Sequence, residues 1–144
     1  MFENIEVLSN AEVVIVDDSK LIRSLLVKCL NSLCNLKEFE SAELAIDYCN
    51  KADPDLILMD WELEGVSGLE ACLILQNSPL TSHIPIIFVT GNADKESQLK
   101  CWKAGAVDFV AKPIVFETLL NRVKTHLKYK LQADQLKEYS FIDG

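Results

Sequence analysis

Apolar residues fall in four short runs, at positions 13–16, 56–59, 86–89 and 107–110. Each is about one strand long and almost free of polar residues, the pattern of a strand covered on both faces. A weaker run at 36–39 reads as one more strand. Between the runs, apolar residues recur at helical spacing. Leu21, Ile22, Leu25, Leu26, Cys29, Leu30 and Leu33 make one stripe, and Leu44, Ala45, Tyr48 and Cys49 a second. Leu69, Cys72, Leu73 and Gln76 carry a third, behind Ser67 and Glu70 in capping-box spacing. Leu99, Trp102 and Lys103 mark a fourth helix before Gly105. Phe116, Leu119, Leu120, Val123 and Leu127 begin a fifth. Strict β/α alternation predicts an α/β, doubly wound, five-stranded parallel sheet in the order 2-1-3-4-5, with helices on both faces.

Composition narrows the classes. The chain has 144 residues, 49% of them hydrophobic, which suits one domain with a real core. A formal net charge of -8 argues against direct contact with a nucleic acid backbone. No uninterrupted apolar stretch is long enough for a membrane span. The start, MFENIEVLSN, lacks the basic and apolar regions of a secretion signal, so a cytoplasmic location is expected. The five cysteines, Cys29, Cys34, Cys49, Cys72 and Cys101, include no CxxC, and four of them fall in predicted helices. Reduced thiols packed in the core account for them.

The chemistry lies just beyond the strands. The first ends in Asp17 and Asp18, the third in Asp60 and the fourth in Thr90. The fifth is followed by Lys112 and Pro113. The predicted topology brings all of these to one sheet edge, where ligands bind in open α/β folds. Three clustered carboxylates repel one another unless a cation offsets their charge. Hard oxygen donors in a partly open site suit Mg²⁺, which also neutralises charge in phosphoryl transfer. A carboxylate beside such a metal can attack phosphorus, and Thr90 and Lys112 supply the donors a phosphoryl group requires. Each residue alone has an ordinary explanation as a cap or a loop; the joint pattern does not.

The segments VIVDDSK, DLILMDWELEGVSGLE, IPIIFVTG and AGAVDFVAKPI together resemble the receiver domain of two-component response regulators, from about Glu12 to Leu127. The resemblance implies a flavodoxin-like (βα)5 fold and a sensor histidine kinase or phosphotransfer protein as the phosphate source. It implies that Asp60 is the phosphoacceptor. Asp18, Asp60 and the backbone carbonyl of Glu62 would bind Mg²⁺ directly, and Asp17 through water. Thr90 and Phe109 would be the switch residues, and Lys112 would pair with the phosphoryl group. Glu64 departs from the proline often found after the acceptor, which implies a less rigid loop. Phe109 lacks the hydroxyl of the frequent tyrosine. Glu62 and Asn92 stand where family members tune phosphate lifetime.

Residues 1–127 thus read as the receiver, and 128–144 as a helical linker toward an output domain absent from this chain. The ending LKEYSFIDG resembles the linker that precedes a GGDEF domain, which implies a diguanylate cyclase making cyclic-di-GMP. It also implies a homodimer through helix 4, strand 5, helix 5 and the extended C-terminal helix. The apolar positions Leu127, Leu131, Leu136, Tyr139 and Phe141 keep no single heptad phase, so a solvated helix is the plainer alternative. Another output, such as a phosphodiesterase, a kinase or a partner protein, is also compatible. A Mg²⁺-dependent phosphohydrolase is disfavoured because Asp17-Asp18-Ser19 is not Asp-x-Asp. A P-loop enzyme is disfavoured because GxxxxGK[ST] is absent.

Overall fold

The computed structural model describes residues 8–92 and 94–143, with side chains through residue 137. Strand β1 (Glu12–Val16) leads to α1 (Lys20–Leu30), β2 (Asn35–Phe39) to α2 (Ala42–Ala52), and β3 (Leu56–Met59) to α3 (Gly68–Gln76). Then come β4 (Ile86–Thr90), α4 (Lys95–Lys103), β5 (Asp108–Ala111) and α5 (Phe116–Asp143). The five strands are all parallel and lie in the order β2-β1-β3-β4-β5. The expected flavodoxin-like fold is therefore the one observed. The last strand begins one residue later than its apolar run, because Val107 lies outside the ladder and is exposed.

Strand alternation divides the core into two layers. Val14, Val16, Ile57, Met59, Ile86 and Phe88 pack toward α2, α3 and α4, with Ala45, Cys49, Cys72, Leu75 and Cys101. Val13, Ile15, Leu56, Leu58, Ile87 and Val89 pack toward α1 and α5, with Leu26, Leu30, Leu119, Val123 and Leu127. All five cysteines are free thiols. Cys29 is half-buried and the other four are buried, as core packing requires.

Four helices start at side-chain caps that satisfy an otherwise unpaired backbone N–H. Ser19 Oγ accepts from Ile22 N, Ser41 Oγ from Leu44 N, Ser67 Oγ from Glu70 N, and Asp94 Oδ1 from Ser97 N. The apolar stripes are wider than the buried faces. Leu21 is 71% exposed, and Leu25, Leu44, Leu73, Leu99 and Trp102 also face solvent. The sheet covers only the centre of each stripe, as Leu26 and Leu30 show on α1.

Helix α5 runs 28 residues, well past the sheet. Its contact with the body continues beyond Leu127. Leu131 packs against the α1/α5 core layer. The Lys130 side chain is 8% exposed, and its ammonium binds Asp55 Oδ1 at 3.1 Å and Asp134 Oδ2 at 2.7 Å. Asp55 precedes β3, so this tie lies at the edge of the sheet opposite the strand C-termini. The side chains of Tyr139, Phe141 and Asp143, and all of Gly144, lie outside the described residues.

Candidate functional site

Register delivers the aspartates to one place. Val16 pairs with Met59, so the residues that follow them, Asp17 and Asp60, emerge side by side. Asp60 N donates to Val16 O, and Asp17 N to Phe39 O, which prolongs the ladders by one residue. On the other side Thr90 pairs with Ala111, and Lys112 N donates back to Thr90 O.

Carboxylate oxygens of Asp17, Asp18 and Asp60 lie within 4.8 Å of one another. Asp17 and Asp60 are buried, while Asp18 is exposed. Lys112 Nζ sits 3.1 Å from Asp17 Oδ2 and 3.3 Å from Asp60 Oδ2, and bridges the buried pair. Asp17 Oδ1 accepts from Ser19 N, and Asp60 Oδ1 from Glu62 N. Burial pushes the Asp60 carboxyl above the usual carboxylate range, and the Asp17 charge adds to this. Lys112 and the Glu62 N–H pull the other way without prevailing. Burial would lower Lys112, but its hydrogen bond to Asp17 and the charges of Asp60 and Asp17 outweigh that and hold it above the ordinary lysine value. The site is thus a cluster of negative charge that one ammonium only partly offsets. Its donors are hard oxygens, and one side is open through Asp18. That donor set fits a small hard divalent cation.

The other expected residues lie on β4, β5 and the loop after β3. Thr90 is buried, and its Oγ1 accepts from Asn92 N at 3.2 Å. Phe109 is half-buried and meets Trp102 edge-on at 6.3 Å between centroids. Glu62 is exposed, and its Oε1 accepts from Asn92 Nδ2 at 2.6 Å. The two positions that the family resemblance associates with phosphate lifetime therefore touch each other. The loop that carries Glu64 is held from outside: Val66 N donates to Glu43 Oε1 of α2.

Two charged centres escape the strand-end pattern. Arg23 Nη1 donates to the Asp17 carbonyl at 2.7 Å, from one turn into α1. Asp108, buried at the start of β5, accepts from Arg122 Nη1 and pairs with His126 Nε2, both at 2.9 Å through Oδ2. Burial would raise its carboxyl, but the bonds from His126, Phe109 N and Arg122 hold it below the usual range. A charged residue in an otherwise apolar strand was the one signal for Asp108 in the sequence.

The family model of the response regulator receiver domain matches residues 13–124. This chain belongs to that family. The receiver is 34% identical over 133 residues to a Vibrio cholerae serotype O1 protein named as a probable cyclic di-GMP phosphodiesterase, across 92% of this chain and 30% of that protein. It is 28% identical over 130 residues to response regulator PleD of Caulobacter vibrioides, across 90% of this chain and 29% of PleD. The receiver therefore spans under a third of the length of these curated relatives. Among solved structures, a response regulator of Chloroflexus aurantiacus J-10-fl superposes with a TM-score of 0.79 at 30% identity, over 83% of this chain and 98% of that one. The receiver domain of sensor histidine kinase PA1611 from Pseudomonas aeruginosa PAO1 was solved with a magnesium ion coordinated in its active site cleft. It shares the fold, with a TM-score of 0.76 at 24% identity over 83% of this chain and 98% of that one. Among the described residues, no helix is long and apolar enough to cross a membrane.

Proposed function

We propose that this receiver accepts a phosphoryl group on Asp60 from a phosphohistidine of a sensor kinase or phosphotransfer protein. An Asp60 oxygen bonds to phosphorus as the N–P bond breaks, and the imidazole leaves. The observation that carries this reading is the convergence of Asp17, Asp18, Asp60 and Lys112 at one sheet edge. Asp18, Asp60 and the Glu62 carbonyl would hold Mg²⁺, with Asp17 acting through water. When bound, the ion supplies positive charge that offsets the acceptor and the incoming phosphoryl oxygens. Lys112 keeps the buried carboxylates together before transfer and gives an N–H to the phosphoryl group afterwards. The Thr90 hydroxyl accepts from Asn92 N, which leaves its own hydrogen free to donate.

Incubation with acetyl phosphate and Mg²⁺, followed by intact mass measurement, tests this directly. Wild type should gain one phosphate and Asp60→Asn none. Equal labelling of both would remove Asp60 as the acceptor.

For the output, we infer that residues 1–127 act as the receiver and 128–144 as a helical linker to a diguanylate cyclase, on the strength of the LKEYSFIDG ending. A phosphodiesterase output is the second reading, favoured by the name of the Vibrio cholerae relative. Both act on cyclic-di-GMP, in opposite directions. With the native sequence restored beyond Gly144, net synthesis from GTP supports the first and net hydrolysis the second. Neither activity would point to a different output.

A further inference from the structure

Arg23 lies outside the strand-end pattern, yet it reaches the heart of the site. Its side chain is 14% exposed, and its Nε lies 3.5 Å from Glu38 Oε1. Its Nη1 holds the Asp17 carbonyl. One planar guanidinium therefore ties α1 and the end of β2 to the peptide that joins the two aspartates. We propose that Arg23 is a positioning residue of the phosphoacceptor site. It fixes the Asp17–Asp18 peptide so that both carboxylates face the cation. The proposal rests on the reading of that site given above.

Asp17 is anchored at each of its polar atoms. Its N–H is taken by Phe39 O, Oδ1 by Ser19 N, and Oδ2 by Lys112. The carbonyl is the remaining group, and Arg23 takes it. Asp18 is different. It is exposed, and among the described residues no hydrogen bond is seen to its carboxylate. Its direction then follows from the backbone torsions on either side of the Asp17–Asp18 peptide, which the Arg23 bond restrains. A lysine would be a poor replacement, because a single ammonium does not present the guanidinium's flat, two-sided set of donors.

The sign of the effect separates positioning from simple charge. A guanidinium acting only through its charge repels a divalent cation, so its removal would tighten metal binding. Loss of a positioning contact weakens binding, by about 10- to 100-fold where such supporting contacts have been removed from metal sites.

The test is Mg²⁺ titration of the 144-residue chain, followed by tryptophan emission, for wild type, Arg23→Met and Arg23→Lys. Trp61, next to Asp60, is the reporter. Methionine keeps much of the aliphatic stem and removes every donor. Arg23→Met should bind at least about tenfold more weakly than wild type, with Arg23→Lys between them. Affinity in Arg23→Met equal to wild type, or tighter, overturns the proposal. If Arg23→Met melts below the assay temperature, Arg23→Lys decides: intermediate affinity supports positioning, and wild-type affinity overturns it. A wild-type chain that neither responds to Mg²⁺ nor takes phosphate from acetyl phosphate removes the reading of the site, and this inference with it. Wild-type binding that Arg23→Met retains removes the inference alone.

Discussion

The Asp60 carboxylate sits where burial and the Asp17 charge both disfavour it. A carboxyl whose folded-state pKa lies above its unfolded value lowers stability as pH rises through that interval, and the penalty persists at neutral pH. Asp60→Asn should therefore raise the metal-free melting temperature at pH 7 by about 2–4 °C, the shift that about 1 kcal/mol produces in a chain of this size. The difference should fade below about pH 4, where the carboxyl is protonated in both states. An unchanged or lower melting temperature at pH 7 would show that the charge is fully compensated. Asp108 has the opposite sign. Its folded pKa is held down, so its contribution is present above the unfolded value and is lost as pH falls through the folded one. Asp108→Asn should lose about 1.5–3 kcal/mol at pH 7, the range for hydrogen bonds to charged groups, and the gap should narrow in acid. Urea unfolding at the two pH values measures both. The strand-end aspartates, Thr90 and Lys112 were legible because each follows an apolar run, which places it without knowledge of its neighbours. Arg23, Arg122 and His126 were not, because long side chains on helices choose partners through tertiary geometry.

At the scale of elements, the turn between β3 and α3 leaves no room for a side chain at Gly68. A Cβ on Gly68 would lie 2.1 Å from the Asp60 carbonyl oxygen and 2.9 Å from Trp61 Cα, both backbone atoms that cannot rotate away. Gly68 N also donates to Trp61 O. Helix α3 thus starts in contact with the peptide of Asp60, the proposed acceptor. Gly68→Ala should cost about 1–3 kcal/mol, the usual range for overpacking, and should slow labelling by acetyl phosphate. Wild-type stability and labelling in that variant would mean that the turn yields freely. Helix starts were readable at Ser67, where the cap forms as its spacing predicts. Helix faces were only partly so. Periodicity marks which side of a helix is apolar but not how much of it the sheet will cover. Leu99 and Trp102 of α4 therefore emerged exposed rather than buried.

At the scale of the molecule, Leu99, Trp102 and Val107 place apolar surface on the face of α4 and β5, beside the half-buried Phe109. If Thr90 and Phe109 act as the switch pair that the family resemblance implies, movement of Thr90 toward a phosphoryl group would make room for Phe109 to bury, and this face would change with it. Sedimentation with and without beryllofluoride should then show a shift from monomer toward dimer. A chain that stays monomeric in both would leave the phosphoacceptor reading intact and remove this route to the output.

Lys130 fastens α5 to the sheet edge farthest from Asp60. The helix is therefore gripped near its middle, and about 14 Å of it projects past Asp134 at a rise of 1.5 Å per residue. A rod clamped in this way passes on direction as well as distance. Each residue added after Asp134 would turn everything downstream by about 100°, so that seven leave it about 20° from the original bearing and two put it about 160° away. If α5 drives the output, activity in the extended protein should rise and fall with the number of inserted residues, in step with the helical repeat. A steady decline with length would instead describe a tether.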